Sequence, residues 1–323
     1  MTLNDFLKDW RSPSPTLLVH TSGSTGKPKP MEVEKQKMLN SARITCNFLH
    51  LHPGDRALLC MSLDYIAGKM MVVRSIERNL KLVCVEPSGH PMAGDEAREP
   101  FDLVAMVPLQ VYNSLQVPEE RRRLMQTRHL IIGGGAISAT LEKELKQFPN
   151  FVWSTYAMTE TLSHIALRRL NGPEASSWYT PFESVNISQN ADGCLVIDAP
   201  LVHDGKLTTH DRVEIRGNRF RILGRIDNVI CSGGIKIQIE EVEARLQPLL
   251  AKPFMVSRKK DEKFGEVVVL LTEDSDLQAV RSVCEAALPK YWQPKFYYHV
   301  DALPMTETKK PARAEAERLI ERL

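Results

Sequence analysis

Short apolar, β-branched runs recur along the first half of the chain and alternate with longer segments of helical spacing. The runs are TLLVH, RALLCMSL, KLVCVEP, DLVAMVP, HLIIGG and NFVWSTY; segments such as KQKMLNSARITCNFLH and SATLEKELKQF stand between them. Strands of this length that alternate with helices are typical of an α/β domain with a mostly parallel sheet. The pattern therefore predicts a large N-terminal α/β domain.

The pattern changes after about residue 185. The stretch DRVEIRGNRFRILGR alternates apolar and polar residues around Gly217 and Asn218, which predicts a β-hairpin. The segment IQIEEVEARLQ predicts a helix. A smaller α+β unit follows, with strand EVVVLLT, helix DLQAVRSVCEAAL, strand KFYYHV and a charged helix after Pro311. We therefore predict two domains, one over residues 1–225 and a smaller one over 226–323.

Composition and charge narrow the class of protein. The 323 residues are 43% hydrophobic and 25% charged, and the net charge of +2 gives no overall attraction to nucleic acid or membrane. The run Arg121, Arg122 and Arg123 predicts a solvated helix face. Six cysteines without a CxxC pair predict buried free thiols in a reducing compartment. No stretch resembles a signal peptide or a membrane span, so we expect a soluble, cytoplasmic protein.

The loop HTSGSTGKPKP, which follows the first apolar run, has the composition of a phosphate-binding loop. Small residues let backbone N–H groups converge on an anion, while hydroxyls and lysines add donors and positive charge. A flexible surface turn is the alternative. The loop is not a Walker A motif, because Thr21 and Pro28 occupy the positions that this motif requires to be Gly and Ser or Thr. The candidate nucleotide-binding residues are Thr21, Ser22, Gly23, Ser24, Thr25, Gly26, Lys27 and Lys29.

The stretch TSGSTGKPK resembles the phosphate loop of the adenylate-forming superfamily, which includes the acyl- and aryl-CoA synthetases, and further motifs follow in that family's order. In IIGGGAIS, the resemblance implies that Gly134, Gly135 and Ala136 lie against adenine, where glycines let the backbone sit on a flat ring. The fold that the resemblance implies has a large α/β domain and a smaller, mobile α+β domain. The implied cofactors and co-substrates are ATP, Mg²⁺ and coenzyme A.

The stretch STYAMTET is similar to the family's YGxTE motif. The resemblance implies that Tyr156 stacks on adenine, Thr159 contacts the α-phosphate and Glu160 binds Mg²⁺. A carboxylate suits this role because Mg²⁺ is a hard cation that prefers oxygen ligands. Ala157 replaces the usual glycine, which indicates that the backbone does not need a positive φ at this position.

The stretch from LTTHD to GRIDNVICSGG matches a Thr-Gly-Asp motif, with His210 in place of glycine, followed by Gly-Arg-x-Asp. By resemblance, Asp211 and Arg225 hold the ribose hydroxyls, since a carboxylate and a guanidinium suit vicinal diols. Asp227 is the implied hinge of the second domain. A surface ion pair is the alternative for either Asp211 or Arg225 in isolation. The residues implied to border the pantetheine arm of CoA after rotation are Ser232, Gly233 and Gly234.

The stretch LPMTETKKPAR resembles the family's PxTxxGKxxR motif and aligns Lys310 with the lysine that enters the active site for adenylation. Choosing Lys309 would move Pro304, Thr306 and Arg313 out of register. The implied reaction is attack of a substrate carboxylate on the α-phosphate of ATP, followed by attack of the CoA thiol on the acyl-adenylate. The substrate carboxylate is already ionised at neutral pH, so no protein base is required.

Two stretches, SLDYIAG and YAMTETLSHIALR, resemble the o-succinylbenzoate–CoA ligases of menaquinone synthesis within this superfamily. The phosphate loop begins near residue 21 rather than after a long segment, and we expect a compact member rather than a fragment. The acid has a second carboxylate that needs a cation or several donors when it leaves water. The candidate substrate-binding residues are Tyr65, which replaces the usual His, and Lys69, Arg74, Ser163 and His164.

Other readings of the sequence stay open. The chain could act on another aryl or medium-chain acid, or pass the acyl group to a carrier protein instead of CoA. It could also be a non-catalytic nucleotide-binding regulator, although the presence of Glu160, Asp211, Arg225 and Lys310 argues against this. A second copy could cover the part of the site that the missing N-terminal segment leaves open, but no residue pattern requires a homodimer.

Overall fold

The structure, a computed structural model, describes residues 1–20, 30–306 and 311–323. The strands of this part are β1 (Thr16–His20), β2 (Pro30–Glu34), β3 (Arg56–Leu59), β4 (Lys81–Cys84), β5 (Leu103–Met106), β6 (His129–Ile132), β7 (Phe151–Ala157), β8 (His164–Arg169), β9 (Thr180–Pro181), β10 (Asn186–Gln189), β11 (Cys194–Asp198), β12 (Lys206–Arg216), β13 (Arg219–Arg225), β14 (Val229–Ser232), β15 (Ile235–Gln238), β16 (Phe254–Asp261), β17 (Gly265–Thr272) and β18 (Phe296–His299).

The helices of the same described residues are α1 (Leu3–Arg11), α2 (Lys35–Phe48), α3 (Ile66–Arg78), α4 (Pro108–Gln116), α5 (Pro118–Met125), α6 (Ala139–Leu145), α7 (Ile239–Leu246), α8 (Leu277–Ala287) and α9 (Arg313–Ile320). Of these, α2, α6, α7, α8 and α9 lie in segments that the sequence predicts to be helical. Short 3-10 helices cover Asp95–Ala97, Thr159–Thr161 and Ile226–Asn228.

The largest sheet has the strand order β4-β3-β5-β6-β7-β8-β9. The five strands β4, β3, β5, β6 and β7 are parallel, whereas β8 and β9 add two antiparallel strands at one edge. Both faces are covered, because α2 and α3 pack on one apolar core while α4, α5 and α6 pack on another. Helices on both faces explain why the central strands read as continuous apolar runs. The predicted α/β class is confirmed.

Strand β1, the run TLLVH, does not belong to the parallel sheet that the sequence pattern predicts. It pairs antiparallel with β2 in a separate sheet, with Leu17 opposite Val33. Leu17 and Val19 are buried while Leu18 is 54% exposed, so only one face of this strand reaches the core. An apolar run therefore predicted the strand correctly and its partner wrongly.

The predicted hairpin around Gly217 is confirmed. Strands β12 and β13 pair antiparallel, and Gly217 has a φ of 58° in the turn between them. These strands complete a sheet of order β10-β11-β12-β13. Its register places Asp211 opposite Arg225 at the end of the ladder, immediately before the segment Ile226–Asn228. The hairpin thus brings two predicted nucleotide-binding residues together.

A further sheet follows residue 228, with the order β15-β14-β17-β16 and β18 beside β17. Helices α7 and α8 pack on one of its faces and α9 on the other. The predicted helix IQIEEVEARLQ begins later than expected, because Ile235–Gln238 forms β15 and the helix starts at Ile239. The boundary between residues 225 and 226 stays a prediction.

Two predictions about side-chain exposure were wrong in part. Arg123 is 8% exposed and donates hydrogen bonds to the carbonyls of Met92, Ala93 and Gly94, so the arginine run is not entirely a solvated face. Carbonyl acceptors compensate the guanidinium for the water that it loses. Of the six free cysteines, Cys84 and Cys231 are exposed rather than buried. Among the described helices, none is long and apolar enough to span a bilayer.

Candidate active site

Three predicted nucleotide-binding residues form one hydrogen-bonded group at the end of the β12–β13 ladder, next to Ile226–Asn228. The Tyr156 hydroxyl donates to Asp211 Oδ2 at 2.6 Å, and Arg225 Nη1 donates to Asp211 Oδ1 at 3.2 Å. Asp211 is half-buried and has both carboxylate oxygens occupied. This geometry brings Tyr156 of β7 together with the middle of β12 and the end of β13, which belong to another sheet.

The Tyr156 ring is buried between two other aromatic residues. Its centroid lies 5.1 Å from that of Phe220 and 6.0 Å from that of Tyr179, both in edge-to-face geometry. Burial raises the pKa of Tyr156, and the neighbouring Asp211 carboxylate raises it further, so the phenol stays protonated and donates. Only 5% of the residue is exposed. The stacking of Tyr156 on adenine stays a prediction.

Glu160 lies in the turn that follows β7. Thr159–Thr161 form a 3-10 helix, and the carbonyl of Glu160 contacts Nδ1 of His203 at 3.1 Å. No described group donates a hydrogen bond to its exposed carboxylate. Ala157 has no positive φ, as expected, but Leu162 does, at 66°. A buried leucine in this conformation stores strain, and such strain is typical of functional turns.

The predicted adenine-binding turn follows β6. Gly134 has a φ of 81°, a conformation that favours glycine, while Gly135 and Ala136 are exposed beyond the strand end. This turn and the Glu160 turn follow the neighbouring parallel strands β6 and β7. Ligands of open α/β sheets bind at the carboxyl ends of such strands. Both turns therefore lie at the edge of the sheet where a ligand is expected.

A buried polar chain runs from α3 to α2 through the start of β8. Arg74 Nη2 donates to Ser163 Oγ, whose other neighbour is His164 Nδ1 at 3.4 Å. His164 Nε2 lies 3.0 Å from Thr45 Oγ1, which itself donates to the carbonyl of Ser41. These donor directions assign the proton of His164 to Nε2. The chain thus leads from a guanidinium to a backbone carbonyl.

Arg74 is the unusual member of this chain because no described carboxylate forms an ion pair with it. The residue is 3% exposed, its Nη1 faces the sulfur of Met71 at 3.6 Å, and its Nε has no hydrogen-bond partner among the described residues. Burial lowers the pKa of Arg74 to about 10, so it is still charged at neutral pH. Burial, together with the charge of Arg74, holds the pKa of His164 well below its usual value.

The other two substrate candidates lie beside the start of α3. Lys69 is 3% exposed and its Nζ donates to the carbonyl of Leu63 at 2.6 Å. Burial lowers the pKa of Lys69. Tyr65 is the N-cap residue of α3 and is 36% exposed. The described contacts connect Arg74, Ser163 and His164 with one another, and they give Lys69 a different partner.

The segment Ile226–Asn228 connects two sheets. Arg225 Nη2 donates to Asp227 Oδ2 at 2.9 Å, and His210 Nδ1 approaches the same oxygen at 2.8 Å. Gln238 Nε2 donates to the carbonyl of Arg225 at 2.8 Å. The motif resemblance indicated Asp227 but not its contact with His210. The signal in the sequence was the histidine that replaces the glycine of the related motif.

The predicted CoA-bordering residues form the turn between β14 and β15. Gly233 and Gly234 have φ values of 57° and 84°, which explains two consecutive glycines. Ser232 is buried and borders a cavity of about 270 Å³ that Phe264 and Lys295 also line. Outside the described residues lie Thr21, Ser22, Gly23, Ser24, Thr25, Gly26, Lys27, Lys29, Lys309 and Lys310.

Comparison with known proteins identifies a family and several relatives that this chain resembles. The chain matches the AMP-binding enzyme family over residues 7–191, more than half of its length. It is 27% identical to a 2-succinylbenzoate–CoA ligase of Salmonella typhimurium over 82% of this chain and 59% of that protein. The same-named protein of Haemophilus influenzae is 25% identical, over 88% of this chain and 66% of that protein. The chain therefore spans less than two thirds of these curated relatives.

Solved structures agree with this assignment. An acyl-CoA synthetase (AMP-forming)/AMP-acid ligase II-like protein from Dyadobacter fermentans is 34% identical, with a TM-score of 0.66. The match covers 97% of this chain and 92% of that chain. The o-succinylbenzoate CoA synthetase MenE from Bacillus subtilis, solved with an acyl-adenylate intermediate, is 24% identical with a TM-score of 0.76 and shares the fold. It is matched over 93% of this chain and 68% of its own. The chain belongs to the AMP-binding enzyme family.

Proposed function

We propose that the chain is an ATP- and Mg²⁺-dependent acid–CoA ligase, and that its acid is 2-succinylbenzoate. The first half-reaction joins the acid to AMP and releases pyrophosphate, and the second transfers the acyl group to the CoA thiol. Membership of the AMP-binding family and the names of the curated relatives support this reaction. Formation of the 2-succinylbenzoyl thioester would place the protein in menaquinone biosynthesis.

The nucleotide half of the site rests on Asp211 and Arg225. Their opposed positions on β12 and β13 present a carboxylate and a guanidinium side by side, and this pair can bind both hydroxyls of a ribose. The exposed turn of Gly134, Gly135 and Ala136 offers backbone to a flat base. The Tyr156 hydroxyl fixes the Asp211 carboxylate at 2.6 Å. Ribose binding would therefore use groups that are already oriented.

The phosphate half rests on Thr159, Glu160 and the loop of residues 21–29. The Glu160 carboxylate fits Mg²⁺ because it is exposed and no described group donates to it. A magnesium site in an ATP enzyme commonly takes one or two carboxylates, with phosphates and water as the other ligands. When bound, Mg²⁺ would offset the charge of the triphosphate. Thr159 and the loop hydroxyls would orient the α-phosphate for attack in line with the leaving pyrophosphate.

The choice of acid rests on one observation, the buried Arg74 that has no carboxylate among its described partners. An isolated buried charge is costly unless it is paired, so a guanidinium in this state fits a ligand that brings the missing anion. Ser163, which accepts from Arg74, is partly exposed and lies three residues after Glu160. An acid with two carboxylates could present one to the α-phosphate and the other to Arg74.

The two half-reactions require different groups. Lys310 would stabilise the charge that develops on the α-phosphate during adenylation. The second domain would then turn about Asp227, which removes Lys310 and brings Ser232, Gly233 and Gly234 to the acyl-adenylate. Gly233 and Gly234 have no side chains, so their backbone could approach the pantetheine arm closely.

The test of the lysine assignment compares Lys310→Ala with its neighbour Lys309→Ala. We expect Lys310→Ala to slow adenylation by about 10²–10³-fold, as loss of one donor to a developing oxyanion does, and Lys309→Ala to leave it close to wild type. Thioester formation from preformed acyl-adenylate should survive in both variants. Equal loss of both half-reactions in Lys310→Ala would reject the assigned role, and the reverse pattern would assign it to Lys309.

A further inference from the structure

The connection between the two sheets at Ile226–Asn228 is held on both sides by side chains. On one side His210 and Arg225 bind the carboxylate of Asp227. On the other side Asn228 Nδ2 donates to Glu240 Oε1 at 2.5 Å, and Gln238 Nε2 donates to the carbonyl of Arg225. The conformation of this connection is therefore set by a small number of named contacts.

His210 differs from the other contacts because its ring has no second described partner. It lies on β12 one residue before the Asp211–Arg225 pair, and its side chain is 61% exposed. Nδ1 lies 2.8 Å from Oδ2 and 3.1 Å from Oδ1 of Asp227. Since a carboxylate only accepts, Nδ1 carries the proton and donates. The glycine that the related motif has at this position could not make this contact.

The Asp227 carboxylate is well suited to hold such a donor. Burial acts to raise the pKa of Asp227, but the hydrogen bonds from His210 and Arg225 lower it below its usual value. The carboxylate is therefore ionised at neutral pH, and its hydrogen bonds are charge-assisted. Through Oδ2 it also orients Arg225, whose other nitrogen binds Asp211. One residue thus connects His210 with the predicted ribose site.

We propose that His210 is a positioning residue that latches the connection between the two domains in the orientation seen here. This inference rests on the proposed function, in which the second domain turns about Asp227 between the half-reactions. A turn that changes the backbone of Asp227 must break or rearrange the His210 contact, so the contact stabilises one orientation over the other. Loss of the contact changes the balance between adenylation and thioester formation.

The experiment uses three variants of the full chain. His210→Ala removes the donor, whereas His210→Asn keeps an N–H donor close to the position of Nδ1. Arg216→Ala is the matched control, because Arg216 forms an exposed ion pair with Glu214 on the same strand and lies far along it from the connection. Single-turnover rates are measured for adenylation and for thioester formation from preformed acyl-adenylate. Hydrogen exchange of peptides covering residues 226–232 is measured without substrates.

We expect His210→Ala to change the ratio of the two rates by about threefold to tenfold, the range for loss of one exposed charge-assisted hydrogen bond. Exchange at residues 226–232 should rise by a similar factor. His210→Asn and Arg216→Ala should stay within about twofold of wild type. An unchanged ratio and unchanged exchange in His210→Ala would overturn the latch, as would an equal effect in His210→Asn.

Failure of the proposed function gives a different result. In that case the wild-type protein forms no acyl-adenylate with any acid, and the kinetic comparison has no signal. Hydrogen exchange then decides the latch alone: faster exchange in His210→Ala with recovery in His210→Asn supports it, and identical exchange in all variants overturns it. The two failures are therefore distinguishable.

Discussion

Two guanidinium groups among the predicted site residues have opposite surroundings. Arg225 is half-buried and contacts two carboxylates, Asp211 at 3.2 Å and Asp227 at 2.9 Å. Arg74 is almost fully buried, with a hydroxyl, a thioether and an unpaired Nε as its described surroundings. The charge of Arg225 is paired with carboxylates of the protein, whereas the charge of Arg74 has no described anion beside it.

This difference indicates which group is available to a substrate. Removing one partner of a buried charge pair leaves the other charge uncompensated. The protein itself therefore needs both members of such a pair. A buried charge without a partner lowers stability, and a functional site is where such a cost is commonly found. We therefore propose that Arg225 and Asp211 position the nucleotide and that Arg74 recognises the acid.

Replacing Arg74 should have the largest effect on the activity with 2-succinylbenzoate. Arg74→Met is expected to lower kcat/KM for 2-succinylbenzoate by about 10²-fold or more, because the second carboxylate loses its charged partner. The melting temperature should not fall, since an apolar side chain replaces an uncompensated charge. Steady-state kinetics and thermal unfolding measure the two effects. Lower stability with unchanged kinetics would make Arg74 a structural residue.

Replacing Asp211 tests the paired side of the comparison. Asp211→Asn removes the charge that Arg225 and Tyr156 contact, and it weakens the predicted hold on ribose. We expect KM for ATP to rise about 10-fold to 100-fold, the range for a charged hydrogen bond, with a smaller change in KM for the acid. A rise in KM for the acid alone would place Asp211 outside the nucleotide site.

Acid conditions should lower the stability of the protein through His164, which Ser163 connects with Arg74 in the buried chain. Burial and the charge of Arg74 lower the pKa of His164, so the folded protein keeps it neutral while the unfolded chain takes up a proton below about pH 6.5. Stability is therefore lost as pH falls. Between pH 7 and 5 the wild type should lose about 2 kcal/mol more unfolding free energy than His164→Asn.

Denaturant unfolding at both pH values gives this difference directly. Other titrating groups, including the buried His129, are present in both proteins and cancel in the subtraction. An identical pH dependence in the variant would show that His164 takes up a proton in the folded protein as readily as in the unfolded chain, and this would contradict its place in the buried chain with Arg74.

Replacing Lys69 should have the smallest effect. Its Nζ is bound to the carbonyl of Leu63, so Lys69→Met is expected to change KM for the acid by less than about threefold. The same kinetic assay as for Arg74→Met measures this change, which makes Lys69→Met its matched control on the same helix. An effect as large as that of Arg74→Met would require two cations in the acid site.

The sequence predicted much of the fold because periodicity reports burial. Alternation along DRVEIRGNRFRILGR gave the β12–β13 hairpin and, through it, the pairing of Asp211 with Arg225. Pairing partners were harder to predict, because an apolar run such as TLLVH fits a parallel sheet and a separate ribbon equally well. Ile237 and Gln238, the last two residues of β15, were predicted as helix because so short an alternation cannot be separated from the helical segment that follows.

The chemistry of single side chains was less predictable. Arginine is rarely buried, so composition alone gives no reason to expect Arg74 or Arg123 inside the protein. The contact of His210 with Asp227 joins residues 17 positions apart through a hairpin and depends on the register of that hairpin. Motif resemblance predicted the neighbourhood of the candidate site, and only the packed structure distinguishes paired from unpaired charges within it.

The proposed contact between Arg74 and the second carboxylate is tested by comparing 2-succinylbenzoate with 4-oxo-4-phenylbutanoate, which lacks the ring carboxylate. Mass spectrometry of reactions with ATP, Mg²⁺ and CoA would quantify AMP and the CoA thioester for wild type and Arg74→Met. We predict that the wild type forms the thioester of 2-succinylbenzoate far faster than that of the analogue, and that Arg74→Met loses this preference. Equal rates for both acids in both proteins would contradict the assignment of Arg74 to the second carboxylate.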